Sequence, residues 1–352
     1  MAYRVIQWAT GGVGKLALHA ILGRADFELA GVLVHSEAKG GKDVGTLLGQ
    51  APVGVTATRD VDAILALEAD CVCYTAHGET RVKACLKEIC RILASGKNVV
   101  TTSIPGAIYV PGMEPEIAAR LEAACKAGGT SLFGSGIEPG FAGDLLPLTL
   151  MTMSEQVRSV RSQEIFSYAD YPVAATVFDV FGFGRPPAFR PLMTLPGVQR
   201  AAWGPAVQMV AAGLGVTLDE MRETYETVVS ERRLEVAAGV IEVGTVGAVR
   251  FETIGIVNGA PAIVIEHINR MSADIAPHWP SAARDGTYRV IIDGRPSLTC
   301  EFFLGDGVKT HSVDGMIATA MRVVNAIPYV CEAPPGLVSA LDLPLTLPRG
   351  AM

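Results

Sequence analysis

Several things are scarce in this sequence, and each scarcity excludes something. No stretch approaches the roughly 18 uninterrupted apolar residues that a membrane-spanning helix needs, so no membrane span is expected. The amino terminus enters a strand-like run directly, without a basic region, apolar core and small-residue cleavage site, which sets a cytoplasmic protein as the expectation. Lys and Arg number 29 against 36 Asp and Glu, a formal net charge of −7, and the cations are scattered, so nucleic acid is not an expected partner. The seven cysteines are odd in number (Cys71, Cys73, Cys85, Cys90, Cys125, Cys300, Cys331), and no second Cys or His pair stands at zinc-ligand spacing. Buried, reduced thiols and no metal site are expected. Internal repeats and low-complexity tracts are absent too.

What is present is a chain long enough for two domains, 352 residues, with 49% hydrophobic residues to build their cores. Its first 140 or so residues alternate short Val/Ile/Leu-rich runs with helical patterns. Strands are expected at 3–9, 27–35, 70–76, 98–103 and 130–136, and helices at 13–23, 61–67, about 79–95 and about 114–127. Strands this apolar are buried on both faces, as in a parallel sheet covered by helices. The expected fold class is therefore α/β, an N-terminal Rossmann doubly wound parallel sheet.

After about residue 155 the pattern changes to long alternating runs at 157–171, 232–271 and 286–304, without helices of crossover length between them. These predict a C-terminal α+β open-sheet domain, with tight turns at Asn258-Gly259 and Asp293-Gly294. Helical spacing returns at 312–326. The expected division is 1–142 for dinucleotide binding and 143–311 for substrate binding and dimerisation, with 312–352 returning to pack near the first domain.

The stretch Ala9-Thr10-Gly11-Gly12-Val13-Gly14 follows the first strand and opens the first helix, and a second strand ends about twenty residues later. Gly11 would admit a pyrophosphate, Gly14 would let helix and strand pack closely, and alanine stands where the first glycine of a dinucleotide fingerprint falls. The other reading is a plain tight turn in a core. At the second strand's tip, Ser36 and Lys39 suit the 2′-phosphate of NADP, the preferred cofactor; NAD is the alternative, through Glu37. Thr75, Ala76 and His77, and Thr101, Thr102 and Ser103, follow later strands at the carboxyl ends that line a cofactor crevice, although His77 also reads as a solvated loop residue.

With these pieces in place, the chain resembles the dihydrodipicolinate reductase-like oxidoreductases, in particular the branch of 2,4-diaminopentanoate dehydrogenase and the native amine dehydrogenases. The resemblance lies in QWATGGVG, in SGKNVVTTS at 95–103, in GSGIEPGFAGDLLPLTL at 134–150, in DVFGFGRPP at 179–187 and in HWPSAARDGTYRVIIDGRP at 278–296. It implies a dinucleotide-binding domain, a carboxy-terminal sheet domain that covers the nicotinamide and often dimerises, and hydride transfer to a C=N or C=O carbon. A homodimer acting on a hydrophobic carbonyl or amine compound follows from it.

One departure bears on the chemistry. Amine-forming relatives carry a glutamate in the loop after the Thr-Thr or Ser-Ser pair, where this chain has Ile104-Pro105. The lysine motif of true dihydrodipicolinate reductases is also absent. Hydride transfer needs a group that handles a proton, and Glu138, Tyr168, Tyr109 and His278 are candidates, Glu138 and Tyr168 foremost. Against these stand blander roles: Glu138 as cap of a helix beginning near Gly140, Tyr168 as aromatic core, and His278 with Trp279 as a packed loop. The expected function is an NAD(P)H-dependent oxidoreductase of the amine dehydrogenase type. The alternatives are a ketone or enone reductase without amine chemistry and a non-catalytic dinucleotide-binding sensor.

Overall fold

A computed structural model describes residues 2–78, 81–305 and 311–350. The chain divides into two compact units, residues 1–140 with 316–352, and residues 141–315.

The first unit begins with β1 (Tyr3–Trp8), α1 (Gly12–Leu22), β2 (Phe27–Leu33), α2 (Val44–Leu47), β3 (Ala57–Thr58) and α3 (Val61–Ala66). It continues with β4 (Cys71–Tyr74), α4 (Val82–Ala94), β5 (Asn98–Thr101), a 3-10 segment (Pro105–Gly112), α5 (Pro115–Gly128) and β6 (Ser131–Gly134). The expected helix from about 79 starts at Glu79 and Thr80, which lie outside the described residues. α2 and β3 were not legible in the sequence; at four and two residues they are too short to show a period.

Alternate residues of each strand go to opposite faces, and both faces are buried. Ile6, Trp8, Val72 and Tyr74 pack with Leu86, Ile89 and Leu93 of α4, whereas Val5, Cys71, Cys73 and Phe133 pack with Ala17 and Ile21 of α1 and with the returning C-terminal helices. Each Val, Leu, Ile or Phe among them contributes about 1.5–3 kcal/mol on leaving water, and this two-sided burial is why the strands read as continuous apolar runs.

The second unit contains α6 (Leu145–Met151), β7 (Gln156–Ser167), a π-helical turn (Ala175–Val180), a short 3-10 turn (Leu192–Thr194), α7 (Val198–Leu214), β8 (Glu220–Val229), β9 (Leu234–Val236) and β10 (Gly239–Ile241). It continues with β11 (Val246–Val257), β12 (Ala260–Arg270), β13 (Thr287–Arg295) and β14 (Leu298–Phe303). Its main sheet has the order β14-β13-β7-β12-β11-β8 and is mixed, since β7 and β12 run parallel while the other pairs are antiparallel.

Two sequence expectations need correction here. The segment after 155 does contain a helix of crossover length, the 17-residue α7, hidden because Gly204 and Pro205 interrupt it and its many buried residues leave no clean period. Asn258-Gly259 does close a hairpin, both residues having positive φ. Asp293-Gly294, by contrast, lies inside β13 paired with β7 across a bulge, and the chain reverses over residues 296–297. A Cβ on Gly294 would stand 2.1 Å from the Gln156 carbonyl oxygen, so the glycine serves strand contact rather than a turn.

The chain then returns through α8 (His311–Val324), α9 (Ile327–Glu332) and β15 (Gly336–Val338). β15 joins β6 in parallel, giving the first unit, among its described residues, a seven-stranded all-parallel sheet of order β15-β6-β5-β4-β1-β2-β3. The α/β Rossmann sheet and the separate open-sheet unit are as expected. All seven cysteines are free thiols, but Cys90, Cys300 and Cys331 are only half-buried. No described helix is long and apolar enough to cross a membrane.

Candidate functional site

In the parallel sheet the chain builds outward from β1 to β2 and β3, then restarts on the other side with β4, β5 and β6. The carboxyl ends of β1 and β4 therefore flank the point where strand order reverses, where such sheets bind ligands. Thr10–Gly14 after β1, Ser36 and Lys39 after β2, Thr75–His77 after β4, Thr101–Ser103 after β5 and Glu138 after β6 all follow strands at this one edge. Tyr168 belongs to the other unit.

The turn after β1 is built from buried polar contacts. Ala9 has φ 73°, a left-handed conformation that glycine adopts more cheaply, which accounts for glycine at this place in the common fingerprint. Gln7 Nε2 donates to the Ala9 carbonyl at 2.9 Å and to Thr75 Oγ1 at 2.7 Å, and Thr75 Oγ1 donates to the Trp8 carbonyl at 3.1 Å. Thr75 thus ties the β4 end to the β1 turn and has a structural task.

The glycines of the turn differ in why they are glycine. A Cβ on Gly14 would stand 2.4 Å from the Ala9 carbonyl oxygen and 2.7 Å from Thr75 Oγ1, so packing within the chain requires its absence. Among the described residues, a Cβ on Gly12 would meet only the Met316 sulfur at 3.2 Å, and one on Gly11 would meet nothing within 4 Å. Gly11 is exposed at φ −74° and caps α1 with no side-chain hydrogen bond and no acid in the first turn. The α1 amino terminus therefore keeps its positive dipole end and free N–H groups for an anion. Val13 is half-buried against the core.

At the β2 tip, Lys39 Nζ donates to the Thr10 carbonyl at 2.8 Å and to Thr10 Oγ1 at 3.1 Å, fixing a cation over the glycine turn. Burial, then the neighbouring Lys15, hold its pKa below the ordinary lysine value. Ser36 is exposed, and its carbonyl accepts from the Lys39 and Gly40 N–H groups. Glu37, with its side chain 92% exposed, pairs loosely with Arg59 at 4.0 Å. Sequence reasoning missed Arg59 because it did not see β3, which delivers it.

Further along the edge, Ala76 is buried and His77 is exposed. Thr101 and Ser103 are buried and bonded to their own chain: Thr101 Oγ1 accepts from Ser103 N–H at 3.0 Å, and Ser103 Oγ donates to the Tyr74 carbonyl at 3.3 Å. Thr102 is half-buried. Ile104 is 4% exposed and part of the core, so no proton-active group stands there.

Glu138 is half-buried, with Oε1 covered. No helix begins near Gly140. The next helix, α6, starts at Leu145, and its cap is Asp144, whose buried carboxylate accepts from Leu145 N–H at 2.6 Å. The capping role considered for Glu138 is thus filled by Asp144. Tyr109 is half-buried, and His278 is exposed, while Trp279 is buried beside Arg270.

In the second unit Tyr168 packs with Tyr171, Phe181 and Phe183, ring centroids 5.3, 5.4 and 5.9 Å away. Its hydroxyl donates to Glu164 Oε1 at 3.4 Å, and His267 Nδ1 lies 3.2 Å from the same oxygen. Sequence reasoning named neither Glu164 nor His267. Glu164 sits among Arg and Gln in an alternating strand, and its partner is 103 residues away. The opposite face of this sheet holds an ion network, in which buried Glu266 accepts from Arg161, Gln163 and Arg250 at 2.5, 2.8 and 2.7 Å. Burial pushes the Glu266 carboxyl up, but these donors hold it below the ordinary value. Among the described residues, no group of three or more His, Cys, Asp and Glu could hold a metal ion.

An all-parallel sheet with an open glycine turn at its switch point, in a chain that carries a second, mixed-sheet unit, is the architecture of a Rossmann-type dinucleotide-binding protein. Comparison with known proteins narrows the class. Residues 141–352 match the family described as the 2,4-diaminopentanoate dehydrogenase C-terminal domain. An amine dehydrogenase of Streptomyces virginiae is 39% identical over 349 residues, 97% of this chain and 96% of the relative. A 2,4-diaminopentanoate dehydrogenase of Acetoanaerobium sticklandii is 25% identical over 367 residues, 99% of this chain and 95% of the relative. The solved amine dehydrogenase of Mycobacterium smegmatis superposes with a TM-score of 0.78 at 22% identity, covering 99% and 98% of the two chains, and shows the shared fold. The chain belongs to the amine dehydrogenase and 2,4-diaminopentanoate dehydrogenase family, as its motifs led us to expect, and is an NAD(P)-dependent oxidoreductase.

Proposed function

We propose that this protein interconverts a hydrophobic ketone and the corresponding amine, using NADP in preference to NAD. The observation that carries the cofactor half is Gly11: nothing among the described residues requires a glycine there, while a dinucleotide's pyrophosphate at the α1 amino terminus would. Gly12 and Val13 offer backbone N–H groups to the same anion. In this reading Ser36, Lys39 and Arg59, at the tips of β2 and β3, receive the ribose 2′-phosphate, and Arg59 pairs only loosely with Glu37, at 4.0 Å. Thr102 and His77 line the same strand edge, and Thr75, Ala76, Thr101 and Ser103 shape it. When bound, the nicotinamide supplies or takes up the hydride.

The amine half rests on the named activity of the 39% identical relative and on the aromatic setting of Tyr168, which suits an apolar substrate. Residues 141–315 provide substrate binding and homodimerisation in this reading. Glu138 takes the proton-handling role that Ile104 and Pro105 cannot, and Tyr168 contacts the substrate. The test is nicotinamide oxidation with a panel of hydrophobic ketones, with and without ammonium. Consumption that depends on ammonium supports the proposal. Consumption without ammonium selects a carbonyl reductase, and cofactor binding with no turnover on any ketone selects a sensor.

A further inference from the structure

Three of the cysteines gather on one face of the parallel sheet. Cys71 opens β4 at the sheet's amino edge, opposite the glycine turn, and Cys73 follows two residues later with its side chain on the same face. Both are fully buried. Cys331 of α9 packs against the same core but is only half-buried. Its Sγ lies 3.8 Å from the carbonyl oxygen of Asp70, the residue before Cys71, and its thiol stands within hydrogen-bonding reach of the Cys71 thiol. All three residues belong to the first compact unit.

The two thiols differ in what can reach them. Burial raises the Cys71 thiol well above its ordinary value, and the neighbouring Cys331 thiol adds to the rise. Cys71 is therefore held neutral and sealed from reagents in solution, whereas Cys331 meets them. A disulfide forms where two side chains can bring their sulfurs together without moving the backbone. Thiols that already stand together across α9 and β4 are set for it.

We propose that Cys71 and Cys331 are an oxidative modification site, closing to a disulfide under a peroxide and so fastening the returning C-terminal segment to the centre of the sheet. The Cys331 thiolate attacks one oxygen of hydrogen peroxide and expels hydroxide, leaving a sulfenic acid. The Cys71 sulfur then displaces hydroxide from the sulfenic sulfur, and the proton lost by Cys71 leaves with that hydroxide as water. In sum, two thiols give up two electrons and two protons, and one peroxide becomes two waters. A dithiol reductant reverses the step by exchange. Closing a loop between β4 and α9 restricts the unfolded chain, so the oxidised protein is the more stable form.

The test treats the full-length native protein with a small excess of hydrogen peroxide, removes the excess with catalase, blocks remaining thiols with iodoacetamide in denaturant, and maps the non-reduced digest by mass spectrometry. Most molecules should yield a peptide cross-linked through Cys71 and Cys331 that dithiothreitol releases, with Cys300 alkylated. The oxidised protein should melt several degrees above the reduced one, a shift that Cys331→Ser abolishes. Cys71→Ser should instead leave Cys331 as a sulfenic acid that dimedone captures. Melting curves verify that each variant folds, and Cys331→Ser, at a half-buried position, remains informative if Cys71→Ser does not fold. Cys331 oxidised to the sulfinic acid while Cys71 stays a free thiol, or Cys71 joined to Cys73 instead, overturns the proposal. A Cys71–Cys331 cross-link with no rise in Tm overturns its role as a fastening.

Discussion

Gly11 and Gly14 lie three residues apart in one turn, yet substituting them should have opposite consequences. An alanine Cβ at Gly14 would sit 2.4 Å from the Ala9 carbonyl oxygen and 2.7 Å from Thr75 Oγ1, both members of the buried Gln7–Thr75–Ala9 network. Neither atom belongs to a flexible chain end, so the helix or the turn must shift. Overpacking of this kind costs about 1–3 kcal/mol, which for a unit of this size lowers Tm by roughly 2–12 °C. At Gly11 the space is empty and φ is ordinary for any residue. Gly11→Asp even supplies the missing α1 cap, so stability should hold or rise by a few tenths of a kcal/mol. Its carboxylate would nevertheless stand where the pyrophosphate belongs, and dinucleotide affinity should fall at least tenfold, about 1.4 kcal/mol. The assay pairs ligand-free thermal melting with fluorescence titration of NADPH on both variants. A Gly11→Asp protein that binds NADPH as the parent does, or a Gly14→Ala protein that melts with the parent, would refute this account of the turn.

Other outcomes follow from the same structure. NADPH should bind more tightly than NADH, and Lys39→Ala or Arg59→Ala should narrow the gap; equal affinities in the parent, or an NADH preference that Glu37→Ala abolishes, contradict the assignment at the β2 tip. Glu138→Gln should lower turnover by roughly 10²–10⁴ with little change in Tm, since Asp144 is the α6 cap; retention of more than about a third of the parent rate removes Glu138 from the chemistry. Asp144→Ala should instead cost about 0.5–2 kcal/mol of stability in a melt. Burial pushes the Cys73 thiol up to about 12 and the Cys125 thiol to about 11. At pH 8 their thiolate fractions are on the order of one in a thousand or less, so iodoacetamide on the native protein, read by mass spectrometry, should label the half-buried Cys300 and Cys331 first.

How much was legible depended on the range of the interaction involved. Two-sided burial writes itself into consecutive residues, so the parallel strands were readable from runs such as Cys71–Tyr74. The glycine turn was readable because its constraints are local. α7 was not, because a helix with so many buried residues, interrupted by Gly204 and Pro205, carries no amphipathic period. Asp293-Gly294 misled because the same dipeptide serves a tight turn and a close strand crossing, and only the Gln156 backbone distinguishes them. Arg59, Glu164 and His267 acquire their roles from partners on other strands, a register that no single segment of sequence displays.

The central claim is hydride transfer to a carbon that ends up bonded to nitrogen. Its most direct measurement incubates the protein with stereospecifically labelled [4-²H]NADPH of each hand in turn, ¹⁵N-ammonium and a hydrophobic ketone such as cyclohexanone, and weighs the products by mass spectrometry. The account predicts, with one of the two labelled cofactors, an amine carrying one deuterium on carbon together with ¹⁵N. A deuterated alcohol with no ¹⁵N, or no deuterated product from any ketone tested, would contradict it.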